Sequence, residues 1–349
     1  MPRELIHPPK ARPGDRVAVL SPAFAAPGEA PEVHEQAMRR LTELTGLVPV
    51  EYPTTRELGA SARARAADVN AAFRDPGIRA VMTTIGGDDQ ITVVPHLDGD
   101  AVRADPKPFL GHSDNTNLLS WLWTQGVAGF YGGSTQVHLG PGPAVDTCHA
   151  ASLRAALLTG ERLELTEPGE SEDFGRGWGD PEALTRYGDR EPTEPWVWSG
   201  PRRSVTGPTW GGCVEVVQWV LTAGRFPQDP AVLAGGVLLL ETSEEVMPAR
   251  EFGYVLRSLG ERGLLEAVDA VLVARPPASE RDRMPDAAAR AAHRRNQRET
   301  AIEVIDRYNP GAVICVGVPF GHTRPQWIVP YGGSVTVDGE AQRVWADYA

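Results

Sequence analysis

Ser113 lies in Gly111-His112-Ser113-Asp114-Asn115-Thr116, between a short apolar run and a stretch with helical spacing. A serine at a tight strand-to-helix turn has its hydroxyl lifted clear of the sheet. The N–H groups that open the helix then point toward whatever the hydroxyl attacks. The chemistry on offer is nucleophilic acyl transfer. The same position also suits a helix cap, a common role for serine. Because G-x-S-x-G is absent, the segment alone favours the cap. Gly86-Gly87 closes the preceding apolar run. Without side chains, its backbone can approach a ligand and turn an N–H toward an oxyanion, alongside the N–H of Asp114. A plain turn accounts for two glycines equally well.

Glu241 ends the apolar run Val237-Leu-Leu-Leu240 and is followed by Thr-Ser-Glu-Glu. A carboxylate at a strand end can orient a histidine through its ring N–H. The alternative is a solvent-facing acid opening a loop, which is the role expected of Glu244 and Glu245. His322 lies in Pro319-Phe-Gly-His-Thr-Arg-Pro325, after another apolar run. A histidine in such a turn can face a cleft, and its pKa range suits a general base. His112 is a poor base for Ser113, since adjacent strand residues point to opposite faces. It is expected to pack beneath the turn, pointing away. Cys148, Cys213 and Cys315 lie far apart with no C-x-x-C pair, and no H-E-x-x-H occurs. Neither a metal nor another cofactor is expected.

These residues need elements to hold them. Over the first 150 residues, short apolar runs alternate with helical patterns. Strands are expected at 16–21, 47–52, 78–85, 107–111 and 127–131. Helices are expected at 29–44, 60–73, 90–97 and 114–125. Such alternation implies a parallel sheet with helices on both faces, an α/β domain of Rossmann or flavodoxin-like type. Ligands bind beyond the carboxyl ends of such strands, where Gly86-Gly87 and Ser113 fall. From about Glu167 to Arg203 the pattern lapses into a loop with Trp178, Trp196 and Trp198. A loop this long is either functional or disordered. Its tryptophans either contact a ligand or pin the loop to the core. Pattern resumes at Gly211-Gly212, with a helix to 221. Strands follow at 237–241, 268–274, 312–318, 326–330 and 334–337, and helices at 249–259 and 286–308. This is a second α/β domain with more irregular β-structure. The expected division is 1–165, carrying the serine; 166–205, the tryptophan loop; and 206–349, carrying the acid and the histidine.

Composition narrows the function classes. The chain has 349 residues, 41% hydrophobic and 23% charged, with a net charge of −12. That length fits two domains and that balance an ordinary globular protein. The negative charge argues against a nucleic-acid polymer as partner, which needs a basic face. Apolar runs fall far short of a membrane span, and the opening Met-Pro-Arg-Glu-Leu-Ile-His has no signal-peptide core. A cytoplasmic location with reduced thiols and no membrane partner is the expectation.

Together the segments resemble the S66 serine peptidases, the family of LD-carboxypeptidases and of the microcin C immunity peptidase. The resemblance runs from Pro13-Gly-Asp-Arg-Val-Ala-Val through Ile85-Gly-Gly-Asp-Asp and Pro108-Phe-Leu-Gly-His-Ser-Asp-Asn-Thr116. It continues through Leu240-Glu-Thr-Ser-Glu-Glu245 and Phe320-Gly-His-Thr-Arg-Pro325 to Pro330-Tyr-Gly332. It implies a Ser-Glu-His triad of Ser113, Glu241 and His322 in an interdomain cleft. Oxyanion donors would be the N–H groups of Gly87 and Asp114, and a homodimer is implied. Gly86-Gly-Asp-Asp89, Tyr131-Gly-Gly-Ser134 and the tryptophan loop look nearer the microcin immunity branch. There a loop aromatic is understood to stack on the nucleobase of a peptidyl-adenylate. By analogy Trp178 or Trp196, with Gly86, would bind substrate here. His112 departs from the family's usual Tyr or Phe. Glu244-Glu245-Val246-Met247 stands where that branch often has a lysine. The implied substrates are a small peptide or peptidyl-nucleotide conjugate. The alternatives are trimming of murein tetrapeptides and a binding module without turnover.

Overall fold

The structure, a computed structural model, describes residues 5–349, so the Met1–Glu4 part of the opening segment lies outside the described residues. Five short strands form a parallel sheet: β1 (Arg16–Leu20), β2 (Val48–Glu51), β3 (Ile78–Thr83), β4 (Phe109–Gly111) and β5 (Gly129–Tyr131). Their order across the sheet is 2-1-3-4-5, the flavodoxin-like order. Val17–Leu20 and Ala80–Thr83 are buried, as expected for strands covered on both faces. Helices Pro31–Thr45, Ala62–Arg74, Gly99–Ala104 and Thr116–Gln125 lie in the four crossovers. The first opens on a proline and ends at Gly46, whose φ of 71° gives the left-handed cap that glycine tolerates best.

The remaining strands are β6 (Arg162–Leu165), β7 (Glu170–Ser171), β8 (Glu191–Pro192), β9 (Val197–Ser199), β10 (Ser204–Cys213), β11 (Val237–Glu241), β12 (Ala270–Ala274), β13 (Val313–Val318), β14 (Val329–Tyr331), β15 (Ser334–Asp338) and β16 (Arg343–Asp347). Eight of them form one sheet in the order β6-β16-β15-β10-β11-β12-β13-β9. The centre, from the second half of β10 to β13, is parallel, and both flanks are antiparallel. The chain crosses between the two sheets three times, after β5, after β13 and after β14. β6, read with the first domain, pairs with β16 in the second sheet. β14, read with the second, pairs with β5 and closes the edge of the first sheet.

The sequence pattern at Gly211-Gly212 suggests a fresh start, but both glycines lie inside β10. A Cβ on Gly211 would sit 2.0 Å from the Leu239 carbonyl oxygen. One on Gly212 would sit 2.7 Å from both Thr116 Oγ1 and the Tyr131 ring. Gly211 thus makes room for the neighbouring strand β11, and Gly212 lets the second sheet approach Thr116 and Tyr131.

The long loop is neither disordered nor free. It forms the ribbon β7–β8 and adds β9 to the edge of the second sheet. It is also clamped. Asp173, Glu191 and Glu194 meet Arg275, which follows β12, and Arg290 and Arg294 on the helix Ala287–Tyr308. Among the described residues, no helix is long and apolar enough to cross a membrane.

Candidate active site

The carboxyl ends of β3, β4 and β5 bring Gly86, Ser113 and Tyr131 to one rim. The ends of β11 and β13 bring Glu241 and the Pro319–Pro325 turn to the facing rim. Between them lies a cavity of about 860 Å³, lined among others by Gly86, Gly87, Ser113, Phe174, Trp178 and His322.

Ser113 has φ of 62°. A helix cap has β-region backbone, so this is not a cap. It is a left-handed turn that strains a residue with a Cβ, the mark of a sharp strand-to-helix elbow. Its Oγ lies 3.0 Å from His322 Nε2. His322 Nδ1 lies 2.6 Å from Glu241 Oε2. The three residues that the family resemblance implied as a triad thus lie in hydrogen-bond sequence.

The local sequence explains why they meet. A Cβ on Gly86 would fall 2.8 Å from Ser113 Cβ, and one on Gly321 would fall 2.9 Å from Glu241 Oε2. Only bare backbone fits at either place. Asn115 Nδ2 donates to the carbonyls of Ile85 (3.1 Å) and His112 (3.0 Å), tying the glycine turn to the serine turn. Gln326 Nε2 donates to the Gly321 carbonyl (2.9 Å), and its Oε1 accepts from the Gly133 N–H (3.1 Å). That anchors the histidine turn to the first half of the chain.

Electrostatics follow from burial. Glu241 is buried, which pushes its carboxyl upward against the pull of His322 and Tyr131. Burial works against charge on His322, but Glu241 and Glu244 together outweigh it, and its pKa is raised well above the usual histidine range. Asp114 is pushed up to about 6, chiefly by burial. Its carboxylate accepts from the Gln90 N–H (2.9 Å) and from Asn117 Nδ2 (2.8 Å).

Three expectations change. First, His112 does not simply point away. Its ring lies 5.2 Å from that of His322, and its Nδ1 is 2.9 Å from Ser134 Oγ. It forms the buried wall behind His322. Second, the structure brings Trp178 to the cavity but not Trp196. Trp196 packs against the core beside Gly317, with its backbone N–H donating to Glu167. Third, Glu244 is no bystander: its Oε2 lies 2.9 Å from His322 Nε2.

Tyr131 was missed altogether as a site residue. Its hydroxyl donates to Glu241 Oε1 (2.5 Å) and accepts from the Ser113 N–H (3.2 Å), linking acid and nucleophile across the cleft. The signal in the sequence is that Tyr131 ends the run 127–131, a strand end on the same rim as Gly111, with which it is in register.

The chain belongs to peptidase family S66. Family models for the N-terminal and C-terminal domains of LD-carboxypeptidases match residues 17–132 and 206–337. It is a serine hydrolase of that family. A Vibrio cholerae protein with a provisional carboxypeptidase name is 27% identical over 333 residues, covering 93% of this chain and 92% of that one. The microcin C7 self-immunity protein MccF of Escherichia coli is 26% identical over 297 residues, 80% of this chain and 77% of MccF. A solved MccF structure in complex with glutamyl sulfamoyl guanosine shares the fold, with a TM-score of 0.82 at 21% identity over 99% of this chain and 98% of that one. Another MccF structure holds aspartyl sulfamoyl adenosine.

Proposed function

We propose that Ser113 is the nucleophile, His322 the general base and Glu241 the acid that orients it, in hydrolysis of a small carboxamide. The observation that carries this is Ser113 Oγ, 3.0 Å from His322 Nε2, on a residue with φ of 62°. Neutral His322 takes the proton of Ser113 as Oγ bonds to the carbonyl carbon. It returns that proton to the departing nitrogen as the C–N bond breaks. Water then attacks the acyl-serine by the same route in reverse. Glu241 holds the Nδ1 proton, and so fixes the tautomer with Nε2 free to accept. The N–H groups of Gly87 and Asp114 flank the serine and stabilise the oxyanion. Tyr131 holds Glu241 and the serine backbone in place.

The substrate class that fits best is a peptidyl- or aminoacyl-nucleotide conjugate of the microcin C type. The cavity volume suits such a molecule, and Trp178 offers an aromatic face on its wall. The ligands in the MccF complexes support this choice. A second substrate class, murein tetrapeptides, is supported by the LD-carboxypeptidase family models. Incubation with a hydrolysable peptidyl-adenylate analogue and with a murein tetrapeptide, with products followed by mass, separates the two. We expect release of the nucleotide portion. Cleavage of the tetrapeptide alone would reverse the choice of substrate but leave the acyl-transfer chemistry standing.

A further inference from the structure

His322 carries one contact more than acyl transfer needs. Its Nε2 faces Ser113 Oγ at 3.0 Å and Glu244 Oε2 at 2.9 Å. The groups around the ring are Glu241 from the end of β11, Glu244 from the loop behind it, and Ser113 and His112 from the turn after β4. Glu241 is buried and bonded on both oxygens, by His322 and Tyr131. Glu244 is its opposite: the side chain is 66% exposed and enters the cavity from the solvent side. Two residues on, Val246 has φ of 52°, a left-handed bend in the same loop.

An ionised carboxylate only accepts hydrogen bonds. Contact between Glu244 and Nε2 therefore requires a proton on Nε2. Attack by Ser113 requires the reverse, a bare Nε2 lone pair. The Glu244 contact stabilises imidazolium, the form that cannot act as a base. For turnover that contact must break, and Glu244 then turns to water or to another cation. Three arginines line the cavity: Arg324 pairs with Glu172, Arg176 with Asp180, and Arg281 lies over the Phe174 ring at 5.8 Å, while Glu245, Glu280 and Asp282 add negative charge to the wall.

We infer that Glu244 selects substrates with a positive charge, an ammonium or guanidinium, beside the scissile amide, and that such a group frees His322 to act by taking over its contact. Binding and activation are then one event: the substrate's cation replaces the imidazolium as partner of Glu244. This deepens the acyl-transfer assignment above and rests on it.

The test uses the full chain and matched acyl-amide substrates with lysine, norleucine or glutamate on the acyl side, and a second set with those residues on the leaving side. We expect lysine to exceed norleucine in kcat/KM, and norleucine to exceed glutamate, by about two- to fivefold per step on one of the two sides. Glu244→Gln should flatten the order and Glu244→Lys reverse it. Independently of substrate, fluorophosphonate labelling of Ser113 should begin at lower pH in Glu244→Gln, because His322 has lost one of the carboxylates that hold its proton. A charge order unchanged in Glu244→Lys, or a labelling profile unchanged in Glu244→Gln, overturns the inference while leaving the triad intact. Absence of both labelling and hydrolysis in the wild type overturns the triad, and the inference with it.

Discussion

The molecule holds two charge clusters, and they are built on opposite plans. In the loop clamp, Asp173, Glu191 and Glu194 face Arg275, Arg290 and Arg294, carboxylate matched to guanidinium. Arginine stays protonated under all ordinary conditions, so nothing there changes charge near neutrality. At the cleft, one histidine faces Glu241 and Glu244, beside a strained serine and a neutral buried His112. That cluster can exist with or without its proton. A balanced cluster of fixed charges holds structure. An unbalanced one built around a titratable ring, open to a cavity, is placed to move a proton.

Neutralising a member of each cluster breaks the comparison most directly. Glu241→Gln should leave the fold intact but lower kcat by about ten-thousand-fold, because the tautomer of His322 is no longer set. Arg294→Ala should do the reverse. It strands buried carboxylates and should cost about 3–5 kcal/mol in denaturant unfolding. Its effect on turnover should be small wherever the protein remains folded. If both variants lose stability equally, the two clusters are not different in kind.

The clamp also sets where the loop presents its aromatics. Trp178→Ala should raise KM for a nucleotide-bearing substrate by a stacking contribution of about 1–2 kcal/mol, with kcat little changed. Trp196→Ala should cost stability and leave KM alone. Equal effects on KM would mean that the loop reaches the substrate differently.

The smallest expected effect concerns Asp114, whose carboxyl is pushed up to about 6 by burial. A carboxyl with a raised pKa binds more protons folded than unfolded between its ordinary range and 6. Its contribution therefore makes the protein less stable as pH rises through that window. Asp114→Asn removes the slope. The stability of the variant relative to wild type should improve from pH 4 to pH 7 in thermal unfolding. A constant difference would contradict this.

Much of this was legible in the chain, for identifiable reasons. The first sheet announces itself because strands buried on both faces read as apolar runs, each followed by a helical period. Ser113, Glu241 and His322 were legible as candidates because each lies at or just past the end of such a run, and the S66 resemblance implied their roles. β10 was not, because Gly207, Pro208, Gly211 and Gly212 dilute its strand character. Those glycines answer to neighbours distant in sequence, Leu239 and Tyr131 among them. The exchange of β6 and β14 between sheets is likewise a matter of tertiary pairing, since four- and three-residue strands carry no address. Trp178 and Trp196 differ by which side of the clamp they fall on, and the clamp joins residues about 80–120 apart in the chain. Glu244 and Glu245 look alike in sequence; the path of the loop after β11 aims Glu244 at His322.

The central claim is that Ser113 is the activated nucleophile. Its most direct test is reaction of the full chain with a fluorophosphonate, with the adduct located by peptide mass. A single adduct on Ser113, absent in Ser113→Ala and strongly slowed in His322→Gln, is the predicted result. Labelling on a different serine, or amide hydrolysis that survives in Ser113→Ala, would contradict it.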